Sequence, residues 1–74
     1  MYAITVLIDG NRVALEDVSD SGRAIPAASR EDALEFVTLA SANKFIATNV
    51  STYEFPEAID SSLLVEENFA ATVE

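Results

Sequence analysis

The sequence predicts a small α+β fold: an antiparallel sheet of three to five strands in the order ββαβ, with a C-terminal hairpin as an addition, and one helix packed on one face. Three observations predict it. Residues 2–9 alternate, with Tyr2, Ile4, Val6 and Ile8 on one side and Ala3, Thr5, Leu7 and Asp9 on the other, which is the period of a strand. Asp9-Gly10-Asn11 follows at once, and such a triplet turns tightly because glycine takes positive φ freely and Asn or Asp tolerates it. Residues 30–42 contain neither Gly nor Pro and many good helix formers, so they are expected to form the helix.

The elements follow in order. Residues 13–18 read as the strand returning from the turn. A loop at Asp9-Gly10 or one at Gly10-Asn11 puts Val13 and Leu15 on the face of Ile4 and Val6; the second also sets Asp9 opposite Arg12. Ser19-Asp20-Ser21-Gly22 is a turn cluster, continuing as loop through Pro26. Ser29 is the expected N-cap, with Asp32 three residues on and Glu31 in the first turn. The helix then presents Ala33, Phe36, Val37 and Ala40 as an apolar stripe, with Glu31 and Glu35 opposite, and stops near Asn43. Residues 45–55, rich in Phe, Ile, Val, Thr and Tyr, read as a strand with a bulge near Asn49, ended by Pro56. Residues 56–60 allow a helical turn. In the tail, residues 63–65 and 69–73 are expected to pair as a hairpin around Glu66-Glu67-Asn68, with one short helix as the alternative.

Strand one is apolar on both sides, and one helix covers only one face of a sheet. Either the tail folds over the other face, or that face takes a partner or a second copy.

Seventy-four residues make a single domain, 1–74. A chain of this size buries only about 60% of its unfolded surface, and this one has no cysteine or histidine to staple it. The first apolar run has no basic residues before it and ends at Asp9, so neither a secretory leader nor a membrane span is expected, and the expected location is cytoplasmic, in a host cell if the chain is phage-encoded.

Charge narrows the function. Thirteen acids stand against four bases, for a net charge of −9, and the last base is Lys44. Nucleophilic catalysis of the usual kind needs His beside Ser or Cys, and His and Cys are absent. Two glycines make no phosphate-binding loop, and four scattered bases make no nucleic-acid patch. Glu16, Asp17 and Asp20 lie close in sequence but lack the spacing of a calcium loop. No enzyme activity, cofactor or metal is therefore expected, nor any direct binding to nucleic acid or membrane.

What is left is the acids as a surface. Carboxylates can imitate a duplex, which carries one charge per roughly 1.7 Å of axis. Two groups are candidates: Glu31, Asp32 and Glu35 on the expected outer helix face, and Glu54, Glu57, Asp60, Glu66 and Glu67 in the cation-free half. Mimicry requires that they share a face. The expected function is that of a small acidic binding protein, an inhibitor occupying a basic surface of a nucleic-acid-handling protein. By physical class, not by motif, that is the manner of anti-CRISPR and anti-restriction proteins. The alternative is a structural or assembly protein acting through a homodimer, a sheet face or an edge strand around Leu7, Tyr53 and Phe55.

Overall fold

A computed structural model describes residues 1–69. Its centre is the hairpin of β1 (Tyr2–Ile8) and β2 (Asn11–Val18). Ile8 pairs with Asn11, so the loop is Asp9-Gly10, with φ of 53° and 84° at its two residues. Both values are positive, as a type I′ turn requires. Val6 then faces Val13, as alternation predicts, and Arg12 lies opposite Leu7 rather than Asp9.

The sheet forks. Tyr2 and Ala3 pair both with β4 (Glu35–Phe36) and with β5 (Glu57–Asp60), so those two strands lie on opposite edges of β1. Thr5 pairs with both β2 and β5, so β2 and β4 share one edge. Past Ala14, β2 leaves β1 and bends through an irregularity between Leu15 and Asp17 to pair with β3 (Ala24–Pro26). The carbonyl of Leu15 accepts from the Leu34 amide at 2.8 Å, and that of Ala14 from Ala27 at 2.9 Å. The result is a curled antiparallel sheet with one helix, the α+β class that the sequence predicts.

The helix lies further along the chain than expected. It is α1, Leu39–Asn49, and its N-cap is Thr38, whose hydroxyl accepts from the Ser41 amide at 3.1 Å. Ser29 heads only a 3-10 turn, Arg30–Asp32, and Ala33 is already extended. The fork explains this. Where β2 departs, the Tyr2–Ala3 backbone needs a partner, and Glu35–Phe36 supplies it. The segment expected as a third strand, 45–55, is instead the second half of α1, a 3-10 turn at Thr52–Glu54 and the residues between and after them. Ala42, Phe45, Ile46 and Val50 repeat at helical spacing, and all belong to the main core. Pro56 precedes a strand, not a helical turn. The tail hairpin is also replaced: Ser61–Leu63 and Glu66–Asn68 are 3-10 turns, and the rest of the second expected strand, 70–73, lies outside the described residues.

Two cores result. The even-numbered side of β1 supplies Ile4 and Val6, which pack with Leu15, Ala42 and Val50; fully burying such an aliphatic side chain stabilises by about 1.5–3 kcal/mol. Phe36 on β4 meets Phe45 on α1 with ring centroids 5.3 Å apart. The odd-numbered side holds a thinner core of Ala3, Ala14 and Leu64, with Ile59 and Phe69 against it. The tail does fold over that second face.

Candidate protein-binding surface

Two arginines build this second layer. Arg30 donates to the carbonyls of Ser61 at 2.7 Å and Leu64 at 2.6 Å, and its guanidinium lies 5.6 Å from the centre of the Phe69 ring. Arg12 reaches across the face of β1. It donates to the Phe55 carbonyl at 2.6 Å and to the carbonyl and hydroxyl of Thr5 at 3.3 Å, and it pairs with Glu57 at 3.7 Å. Thr5, fully buried, donates in turn to the Glu57 carbonyl at 3.0 Å. Asn68 fixes the last turn to β2: it accepts from the Val65 amide and donates to the Arg12 carbonyl at 3.0 Å. Arginine suits these roles because its planar fork holds several acceptors at once and stacks on rings.

The candidate acids fall around this layer unevenly. Glu31 and Asp32 sit exposed in the 3-10 turn beside Arg30 and not on a helix face; Asp32 accepts from the Ser29 hydroxyl. Glu35, expected opposite the helix stripe, is a half-buried strand residue paired with Ala3. Glu57 is paired with Thr5, so Glu35 and Glu57 project from the odd side of the sheet, the side the tail covers. Glu66 and Glu67 are exposed in the turn that packs on β2. Glu54 belongs to the 3-10 turn before β5. Asp60, paired with Tyr2, belongs to the opposite, helix side. It caps the next turn, and the Ser62 amide, then the Ser62 hydroxyl, hold its carboxyl below the usual range. Strand register thus puts Glu35 and Glu57 on the tail-covered side, the turn carrying Glu66 and Glu67 packs on β2, and Asp60 lies on the other side.

An open pocket of about 280 Å³ lies within this layer, lined by Ala28, Ser29, Arg30, Glu66 and Phe69. It is smaller than typical small-molecule sites, and its one guanidinium is already engaged on backbone carbonyls. Among the described residues no three His, Cys, Asp or Glu side chains converge to hold a metal; the Asp17 carboxylate accepts from the Val18 amide. No helix of the described residues is long and apolar enough to cross a membrane.

The chain is a small α+β domain whose tail turns pack over one sheet face. No protein-family model, curated protein or solved structure matches the chain.

Sequence reasoning did not find the two arginine staples. Arg30 meets its partners 31 and 34 residues away, and no local pattern encodes that. It also placed Phe55 at the end of a strand, where the structure has a left-handed residue with φ of 52°.

Proposed function

We propose that the protein is a non-enzymatic acidic binding module that occupies a basic surface of a nucleic-acid-handling protein and so competes with the nucleic acid. One observation carries the reading: two of the four bases are engaged by the chain's own backbone, and the acids are left largely without basic partners. Arg12 and Arg30 spend their guanidinium groups on internal carbonyls. That leaves Arg23, in the turn before β3, and Lys44, on α1, against thirteen acids. Among the described residues, Glu57 alone has a basic partner. Thirteen acids against four bases leave a field of predominantly one sign, which steers a basic partner and repels nucleic acid.

The test is capture of partners from host lysate, washed in parallel at low and high salt, with the wild-type protein and with Glu31→Lys, Glu66→Lys and Glu67→Lys combined. These side chains are exposed and without ion pairs, so the fold should persist. A nucleic-acid-binding partner held at low salt, released at high salt and lost with the charge reversals is the expected outcome. A partner retained at high salt or indifferent to the reversals refutes the reading.

A further inference from the structure

We propose that residues 51–56 form the anchor of that interface, presenting Tyr53 and Phe55 to an apolar cleft rimmed by lysine or arginine on a partner protein. The inference rests on the acidic-module reading and adds to it the place and chemistry of first contact. Tyr53 is 91% exposed and Phe55 64% exposed, although the fully enclosed part of each core is only alanines and a few aliphatic residues, with the other aromatic rings packed at its margin. A buried aromatic ring removes roughly 150–250 Å² from water, so two rings left in solvent forgo much of the apolar burial open to the fold.

The backbone that carries them is held firmly. The Ser51 hydroxyl accepts from the Tyr53 amide at 3.2 Å, the Glu54 amide donates to the Ser51 carbonyl, and the Phe55 amide donates to the Thr52 carbonyl. Val50, buried, anchors one end and β5 the other. Arg12 grips the Phe55 carbonyl from below. Phe55 is kept left-handed, a conformation that a side chain with a Cβ avoids unless its surroundings impose it. Exposed aromatic rings on a pre-ordered backbone are the make-up of interface hot spots, since little entropy is left to lose on binding.

Charge selects the partner. Glu54 lies between the two aromatics in sequence and Glu57 follows them, and no cation occurs after Lys44; Arg12 is committed to the Phe55 carbonyl, Thr5 and Glu57. A second copy docking by the same patch would bring Glu54 and Glu57 against their like, between two molecules of charge −9. A basic-rimmed apolar cleft meets neither objection.

The test is a titration of the full-length, ¹⁵N-labelled protein followed by NMR, with three capped peptides as probes: KLFLK (basic and apolar), SLFLS (apolar only) and KSGSK (basic only). The expected result is that KLFLK shifts the amides of residues 51–57 and binds about tenfold or more tightly than either control. The double variant Tyr53→Ser, Phe55→Asn should keep the dispersed wild-type spectrum and lose that binding. Binding of KLFLK and KSGSK alike, with residues 51–57 unmoved, overturns the anchor while leaving the acidic-module reading in place. Equal binding of SLFLS overturns the basic-partner assignment. Peaks of Tyr53 and Phe55 that drift with protein concentration alone assign the patch to a second copy and overturn it too. No response of residues 51–57 to KLFLK, or unchanged binding by the double variant, also overturns it.

Discussion

Phe55 concentrates several opposed demands in one residue. Its φ is 52°, its side chain is mostly exposed, and its carbonyl is the shortest of the acceptors Arg12 finds. A left-handed residue with a Cβ costs about 1–2 kcal/mol relative to its ordinary conformation, and asparagine bears this better than phenylalanine because its short polar side chain bonds locally. The exposed ring returns little burial to the fold. Phe55→Asn is therefore expected to raise the free energy of unfolding by about 0.5–1 kcal/mol in urea denaturation. A drop of that size would mean that the ring packs against the domain in solution. A gain of that size would fit stability given up at the proposed site of contact. The sequence hints at none of this: Phe55 lies two residues after Tyr53 and just before Pro56, in a stretch of strand-forming residues, and left-handed geometry at a non-glycine leaves no mark in composition.

Among the elements, the hairpin was legible in the sequence and the helix only in part. Alternation in β1 and the turn signal of Asp9-Gly10-Asn11 are local, and both survive in the structure, which settles on the Asp9-Gly10 loop that the sequence left open against Gly10-Asn11. Two local signals compete for the start of the helix. Ser29 with Asp32 resembles a helix start, yet Thr38 with Ser41 is the one used. Ile46, Thr48 and Val50 favour strand by type, while the spacing of Ala42, Phe45, Ile46 and Val50 favours helix, and burial against Ile4 and Leu15 decides for the spacing. The open edge of β1 decided the rest by drawing Glu35–Phe36 into the sheet. That takes Glu31, Asp32 and Glu35, the first of the two candidate groups, off the helix on which local pattern places them. The tail layer depends in turn on Arg30. Arg30→Ala removes two charge-assisted hydrogen bonds and a ring contact, and is expected to destabilise the layer by about 1–3 kcal/mol. Hydrogen exchange at residues 61–69 should accelerate while that of β1 and β2 changes little. Arg30→Lys should not restore protection, since a single ammonium lacks the planar fork that spans both carbonyls. Rescue by lysine would show that charge alone holds the tail.

Over the whole molecule, the same acidity that suits a basic partner opposes the fold. A net charge of −9 on 74 residues repels itself more strongly in the compact state than in the extended chain. Added sodium chloride screens that repulsion within a Debye length of about 10 Å at 0.1 M. The melting temperature at pH 7 is therefore expected to rise by a few degrees between low salt and about 0.3 M. A fall over that range would mean that the Arg12–Glu57 pair outweighs the general repulsion. Composition alone made this much visible, because net charge needs no structure. Which acids share a side depended on strand register and on the fork, and those are set by pairings between distant parts of the chain.

The fork also sets the order in which the molecule can assemble. β1 and β2 meet through a two-residue loop, a closure of microseconds. The other edge of β1 waits for β5: Thr5 Oγ1 finds the Glu57 carbonyl 52 positions on, and the Ser61 hydroxyl finds Met1 across 60. Closing so long a loop carries an entropic cost that must be met before its contacts form. The last strand to arrive is therefore the one that begins beside Phe55. During synthesis the hairpin can exist long before its second neighbour has been made, and the aromatic turn takes shape only in the final closure. The chain would then order its exposed aromatic turn and complete its sheet in one event.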